Sequence, residues 1–167
     1  MHPEPFPEPS VVQARLAARN PGLDTSAMPV VALLKRAIGQ LDRALEPVYE
    51  GAELTAPELD LLIPMRDLGR PVIARRLAEH RHMSRAGISK ALAKLEKRGF
   101  VERAPSPADR RASLVWVTDA GKAALDALFP KQVAVESTLL AGLGEDRERV
   151  LEALSILDEV FERATRT

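Results

Sequence analysis

Ser84, Arg85, Ala86, Ser89 and Lys90 combine hydrogen-bond donors with small side chains over seven residues. That mixture suits a helix end entering the major groove of double-stranded DNA. Small residues permit close approach, while Arg, Lys and Ser supply donors for base edges and phosphates. Gly87 removes a further side chain near the docking end, and Lys94 and Lys97 lie further along, where they meet phosphate or only water. A second group of charges follows in Pro105-Ser-Pro-Ala-Asp-Arg-Arg111. Prolines stiffen a hairpin tip, and arginines such as Arg110 and Arg111 suit a narrow, electronegative minor groove. Asp109, two residues before Arg111, is spaced to support that guanidinium by a bidentate pair.

The elements that position these residues are readable from periodicity. Ile88, Ala91, Leu92 and Leu95 fall on one face of a helix that Ser84 caps and Gly99 ends. Residues 100–104 and 113–117 alternate as two strands around the proline-rich tip. Upstream, Thr55-Ala-Pro-Glu58 is a capping box with proline in the first turn. Its helix is expected to bury Leu59, Leu62, Ile63 and Met65 and to stop at Gly69. Pro71 is expected to open a short helix with Val72, Ile73, Leu77 and Ala78 facing inward. With the Ser84 helix it makes a helix-turn-helix.

A long helix from Asp24 or Ser26 carries Val30, Leu33, Leu34, Ala37, Leu41, Ala44, Leu45 and Val48 as an apolar stripe, with Pro47 expected to kink or end it. Before it, Ser10 is expected to cap a short helix through Asn20, preceded by an arm with four prolines in nine residues. Thr118 starts a helix toward Gly142, with a kink expected at Pro130. A last helix after Gly144 places Val150, Leu154, Leu157 and Phe161 at coiled-coil-like intervals.

The net charge of zero conceals a split. Between Arg66 and Arg111 there are 13 basic and 5 acidic residues, against 11 and 19 in the remainder. A basic block in an otherwise acidic chain is an electrostatic footprint for a polyanion. The 167 residues fit one domain by length, and no apolar run approaches the roughly 18 residues of a membrane span. The Pro-rich start MHPEPFPEPS lacks the order of a signal peptide, so a cytoplasmic protein without a membrane partner is expected. Absence of cysteine removes disulfides, thiolate metal sites and thiol redox switching. His80 and His82 form an H-x-H, but no carboxylate or thiolate cluster accompanies them at a recognisable spacing. They are read as a polar turn, able to contact phosphate or tune binding near pH ~6.5, and no metal or cofactor is expected.

Residues 55 to 121 resemble the winged helix-turn-helix core of the MarR family of bacterial transcription regulators. The likeness lies in Leu54-Thr-x-x-Glu58, in Leu95-Glu-Lys-Arg-Gly99, and in Asp109-x-Arg111 followed by Val117-Thr-x-x-Gly121. It extends over about residues 24 to 165. It implies a mainly α fold with a small antiparallel β-wing: a winged helix-turn-helix domain, 55–118, plus a helical dimerisation region, 23–54 and 119–167. Residues 1–22 form an arm and a short extra helix. The expected partners are double-stranded DNA, a second copy of the chain and a small-molecule effector. Arg111 would be the minor-groove arginine, Asp109 its support, and Ser84 to Lys94 the groove-reading stretch. Arg81 and His82 depart from the aliphatic residue and glycine usual in the family's turn. The extra N-terminal helix resembles a branch responding to urate and related small acids, and Asp60 falls near that branch's pocket carboxylate. The branch's N-terminal tryptophan is missing, since the only Trp is Trp116, and urate is not assigned.

Two other readings compete. An enzyme needs a nucleophile–base pair, a phosphate loop or a metal cluster, and none is found. A winged helix kept only for protein–protein contact should lack basic residues at helix and tip, and this chain has them. The expected function is sequence-specific DNA binding by a homodimeric repressor on a pseudo-palindromic operator, released by a small ligand.

Overall fold

A computed structural model describes residues 7–80, 84–107 and 112–165. The chain divides into two compact units, residues 1–46 and 47–167. The first holds α1, Pro9–Arg19, and most of α2, Met28–Tyr49. Helix α1 starts one residue before the expected cap: Glu8 precedes it and Pro9 takes the first turn, where a missing N–H costs nothing. Between the helices the Gln13 side chain donates to the Thr25 carbonyl at 2.9 Å, and Asp24 accepts the Ser26 N–H at 2.8 Å. Pro47 does not break α2, which runs two residues further to Tyr49. On α2, Val30, Val31, Leu33 and Ile38 are exposed.

The second unit is built around one apolar core. Helix α3, Ala56–Leu68, begins at the Thr55–Glu58 capping box and ends at Gly69, whose φ of 60° is the left-handed conformation that glycine tolerates. It buries Leu59, Leu61, Leu62 and Met65, while Ile63, expected inside, is half-buried. Val72–Ile73 is not the start of a helix but a strand, β1. Two β-branched residues behind a proline find extended partners, Val72 opposite Val115 and Ile73 opposite Leu114. Helix α4 therefore spans only Ala74–His80.

Helix α5, Arg85–Lys97, follows, then β2, Val101–Pro105, and β3, Ser113–Val117. The sheet has three antiparallel strands in the order β1-β3-β2, one more than expected. Leu77, Ile88, Leu92, Leu95, Val101 and Val115 close the core against α3 and α6, Asp119–Leu140. Thr118 joins the sheet to α6: its hydroxyl donates to the Gly99 carbonyl at 2.6 Å and accepts the Gly121 N–H at 3.1 Å. Gly121 packs so tightly that a Cβ there would run into the Phe100 carbonyl oxygen. Helix α6 passes Pro130 unbroken and gives way to a 3-10 helix, Ala141–Asp146, before α7, Arg147–Thr165. No residue of α7 is buried.

Candidate nucleic-acid interface

Helix α5 presents a buried side and an exposed one. Ile88, Leu92 and Leu95 face the core, almost wholly buried. Arg85, Ala86, Ser89, Lys90, Ala93 and Lys97 are exposed, small and basic residues interleaved as the sequence predicts. The Ser84 hydroxyl accepts the Gly87 N–H at 3.0 Å, so this side chain caps the helix whose first turn it precedes.

The flanks of α5 are held by ion pairs of opposite sense. On one, Glu58 of α3 reaches the last turn of the helix. Its side chain is only 5 % exposed, and its oxygens lie 2.9 and 3.0 Å from the Arg98 guanidinium and 3.2 Å from the Lys94 ammonium. A third donor is the Thr55 backbone N–H at 3.0 Å. Burial pushes the Glu58 carboxyl up, but the bonds from Thr55, Arg98 and Lys94 prevail and bring its pKa to about 2. The Arg98 guanidinium also stacks over the Phe100 ring, 4.7 Å from its centroid. On the other flank the charges are reversed. Arg103 of β2 lies 3.0 Å from the Glu96 carboxylate and donates to the Ser89 carbonyl at 3.4 Å.

Between that second flank and the wing strands is a cleft of about 580 Å³, lined by Arg75, Arg85, Ser89, Arg103, Ser106 and Ala112 among others. Of its three guanidinium groups, Arg75 lies 3.7 Å from Glu79 and Arg103 lies 3.0 Å from Glu96. The Ser106 N–H donates to the Ala112 carbonyl at 2.9 Å, closing the base of the hairpin. Asp109, Arg110 and Arg111, like Arg81 and His82, lie outside the described residues.

Asp60 sits elsewhere, half-buried on α3. Burial, with the negative charges of Asp60 and Glu136, raises the Tyr49 hydroxyl to about 12 and keeps it a neutral donor. Tyr49 donates to the Gln132 amide oxygen, and the Gln132 amide donates to Glu136 at 2.6 Å. His80 is exposed and, with Asp67, Arg70 and Arg76, rims a separate cleft. Among the described residues no group of three or more His, Asp or Glu is placed to hold a metal ion, and no helix is long and apolar enough to cross a membrane.

The sequence pattern of the MarR family matches residues 53–112, which span α3 to the hairpin tip. The transcriptional regulator HosA of Escherichia coli O111:H- is 33% identical over 102 residues, 60% of this chain and 74% of HosA. The chain belongs to the MarR family. It is accordingly a winged-helix transcriptional regulator and not an enzyme. This MarR-family chain is also 29% identical over 136 residues to the HTH-type regulator PecS of Dickeya dadantii, covering 80% of the chain and 82% of PecS. Among solved structures, a mutant E. coli MarR complexed with operator DNA superposes with a TM-score of 0.69 at 25% identity. That match covers 83% of this chain and 99% of the other.

Within the MarR frame, the structure brings Arg85 and Ser89 to the cleft beside the wing and leaves Ala86 and Lys90 open on the helix. It turns Lys94 toward Glu58. The sequence shows Glu58 as a cap and a motif residue and Glu96 and Arg98 as motif residues, without these ion pairs, and nothing in it singles out Arg103. A cap is visible within four residues, whereas the Glu58–Arg98 pair joins positions 40 apart.

Proposed function

We propose that this MarR-family regulator binds a pseudo-palindromic operator as a homodimer, represses by occluding polymerase, and is released by a small ligand. The observation that carries the reading is the exposed first half of α5, where Arg85, Ala86, Ser89 and Lys90 stand beside the arginine-lined wing cleft. Arg85 and Ser89 supply donors for base edges, Ala86 permits approach, and Lys90 meets phosphate. Ser84 fixes the helix start. By sequence, Arg110 and Arg111 at the tip enter the flanking minor groove with Asp109 as support.

A second copy of the chain is supported by apolar surface. Leu151, Leu154, Ile156, Val160 and Phe161 of α7 are each about half exposed, and α2 leaves Val30 and Leu33 equally bare. A homodimer covering these helices would use residues 23–54 and 119–167 for assembly and 55–118 for DNA. Two-fold symmetry then sets half-site centres about 10 bp apart, or a multiple. A ligand near Asp60 and Tyr49 acts only if it binds one spacing of the two α5 helices better than another. A mobility-shift titration with DNA upstream of the protein's own gene tests the reading. A shift at a two-fold symmetric sequence is expected, and no shift at low salt overturns it.

A further inference from the structure

Glu58 holds two cations at the end of α5, Lys94 and Arg98. It lies outside the basic stretch Arg66–Arg111, yet Lys94 and Arg98, two of that stretch's 13 basic residues, both turn to it. Resting on the DNA-binding reading above, we infer that Glu58 is a specificity-determining positioning residue. It keeps Lys94 and Arg98 off the phosphate backbone and leaves DNA contact to the first half of α5 and the wing.

Three features carry this. Lys94 is 62 % exposed, so its ammonium lies at the surface and within reach of a polyanion once released. Lys94 is in the last turn of α5, one turn beyond Lys90, and Arg98 is its C-cap, so both stand at the far end of the helix from Arg85, where contact with backbone phosphate would carry no sequence information. The carboxylate that engages them is buried and fixed by a backbone donor, Thr55 N–H, and so cannot swing away to follow them. The opposite flank uses a different solution: Arg103 engages Glu96 and the Ser89 carbonyl, so there the helix supplies the acceptors. Phosphate contacts raise affinity for every sequence equally, so a helix that withholds two of them keeps non-operator binding weak.

Glu58→Gln tests the inference, because glutamine keeps the capping hydrogen bond to Thr55 while removing the charge. Binding to the operator and to a scrambled duplex is measured between 50 and 200 mM salt. The variant is expected to bind scrambled DNA more tightly, with a salt slope steeper by about 0.9 to 1.8. Each gained contact contributes a change of about 3.5-fold across that salt range, and the operator-to-scrambled ratio narrows. Adding Lys94→Ala to Glu58→Gln should take back about 0.9 of the steepening. An unchanged slope in a folded Glu58→Gln protein overturns the inference, as does parallel weakening on both duplexes, which marks a purely structural role. If Glu58→Gln does not fold, the slopes of Lys90→Ala and Lys94→Ala decide. Lys90→Ala should flatten the slope by about 0.9 and Lys94→Ala by clearly less, and equal flattening overturns the inference. A parent protein that shifts neither duplex fails the DNA-binding reading itself, a result separate from these.

Discussion

Helices α5 and α7 are both amphipathic, but α5 buries Ile88, Leu92 and Leu95 while α7 buries nothing along its 19 residues. The contrast separates two ways of stabilising a helix. Helix α5 is completed by its own chain: an apolar face in the core, a serine cap at its start, and ion pairs on both flanks. Helix α7 has the apolar residues for a packed face, and none of them is buried among the described residues, as expected if the proposed homodimer covers it. Removing apolar atoms should therefore unfold the first region and dissociate the second.

The largest effect is expected at the centre of the α5 face. Leu92 is fully buried, and Leu92→Ala should cost about 2–5 kcal/mol in urea unfolding, from lost transfer energy plus a cavity. A cost below about 1 kcal/mol would mean that the site collapses freely and that the contrast with α7 is overstated.

Next comes the charge that ties α5 to α3. The folded-state pKa of Glu58 is depressed from its ordinary 4.5 to about 2, so its contribution is fully present above pH 4.5 and is lost as pH falls toward 2. The size is up to about 3 kcal/mol, since each pKa unit is worth about 1.4 kcal/mol. Unfolding midpoints measured from pH 5 to pH 2 should fall less steeply in Glu58→Gln than in the parent. Parallel curves would remove the carboxylate from the account of how α5 is held.

These two residues also mark what the sequence discloses. Leu92 is legible because Ile88, Ala91 and Leu95 repeat the helical period around it. Glu58 is half legible: its bond to Thr55 is local, but its bonds to Lys94 and Arg98 depend on α3 and α5 meeting in space. The Tyr49–Gln132 contact, 83 positions apart, is invisible for the same reason. Val72–Ile73 reads as the start of a helix because a two-residue segment carries no period, and only Val115 and Leu114 across the sheet decide its conformation. On α7 the period is legible, whereas the surface proposed to cover it is not encoded locally.

Gly121 tests how firmly the far end of α5 is seated. Its Cα lies against the Phe100 carbonyl, just past the turn that ends the helix, and the Val117 side chain is close by. Gly121→Ala must displace backbone, and a cost of about 1–3 kcal/mol is expected in urea unfolding, as for overpacked cores. A neutral result would show that the α6 start gives way easily and does not seat the end of α5.

The smallest effect on the isolated chain, and the sharpest for the contrast, is expected on α7. Leu154 is 51 % exposed, so Leu154→Ser should change the stability of a dissociated chain by no more than about 0.5 kcal/mol. In an assembly the same residue would sit at a covered seam, and its loss would favour the dissociated state. The parent melting temperature should then rise with protein concentration, and the variant's should rise less or not at all, with sedimentation reporting the matching change in mass. A variant that sediments as the parent does would locate the assembly surface away from Leu154 and leave the bare face of α7 without its proposed partner.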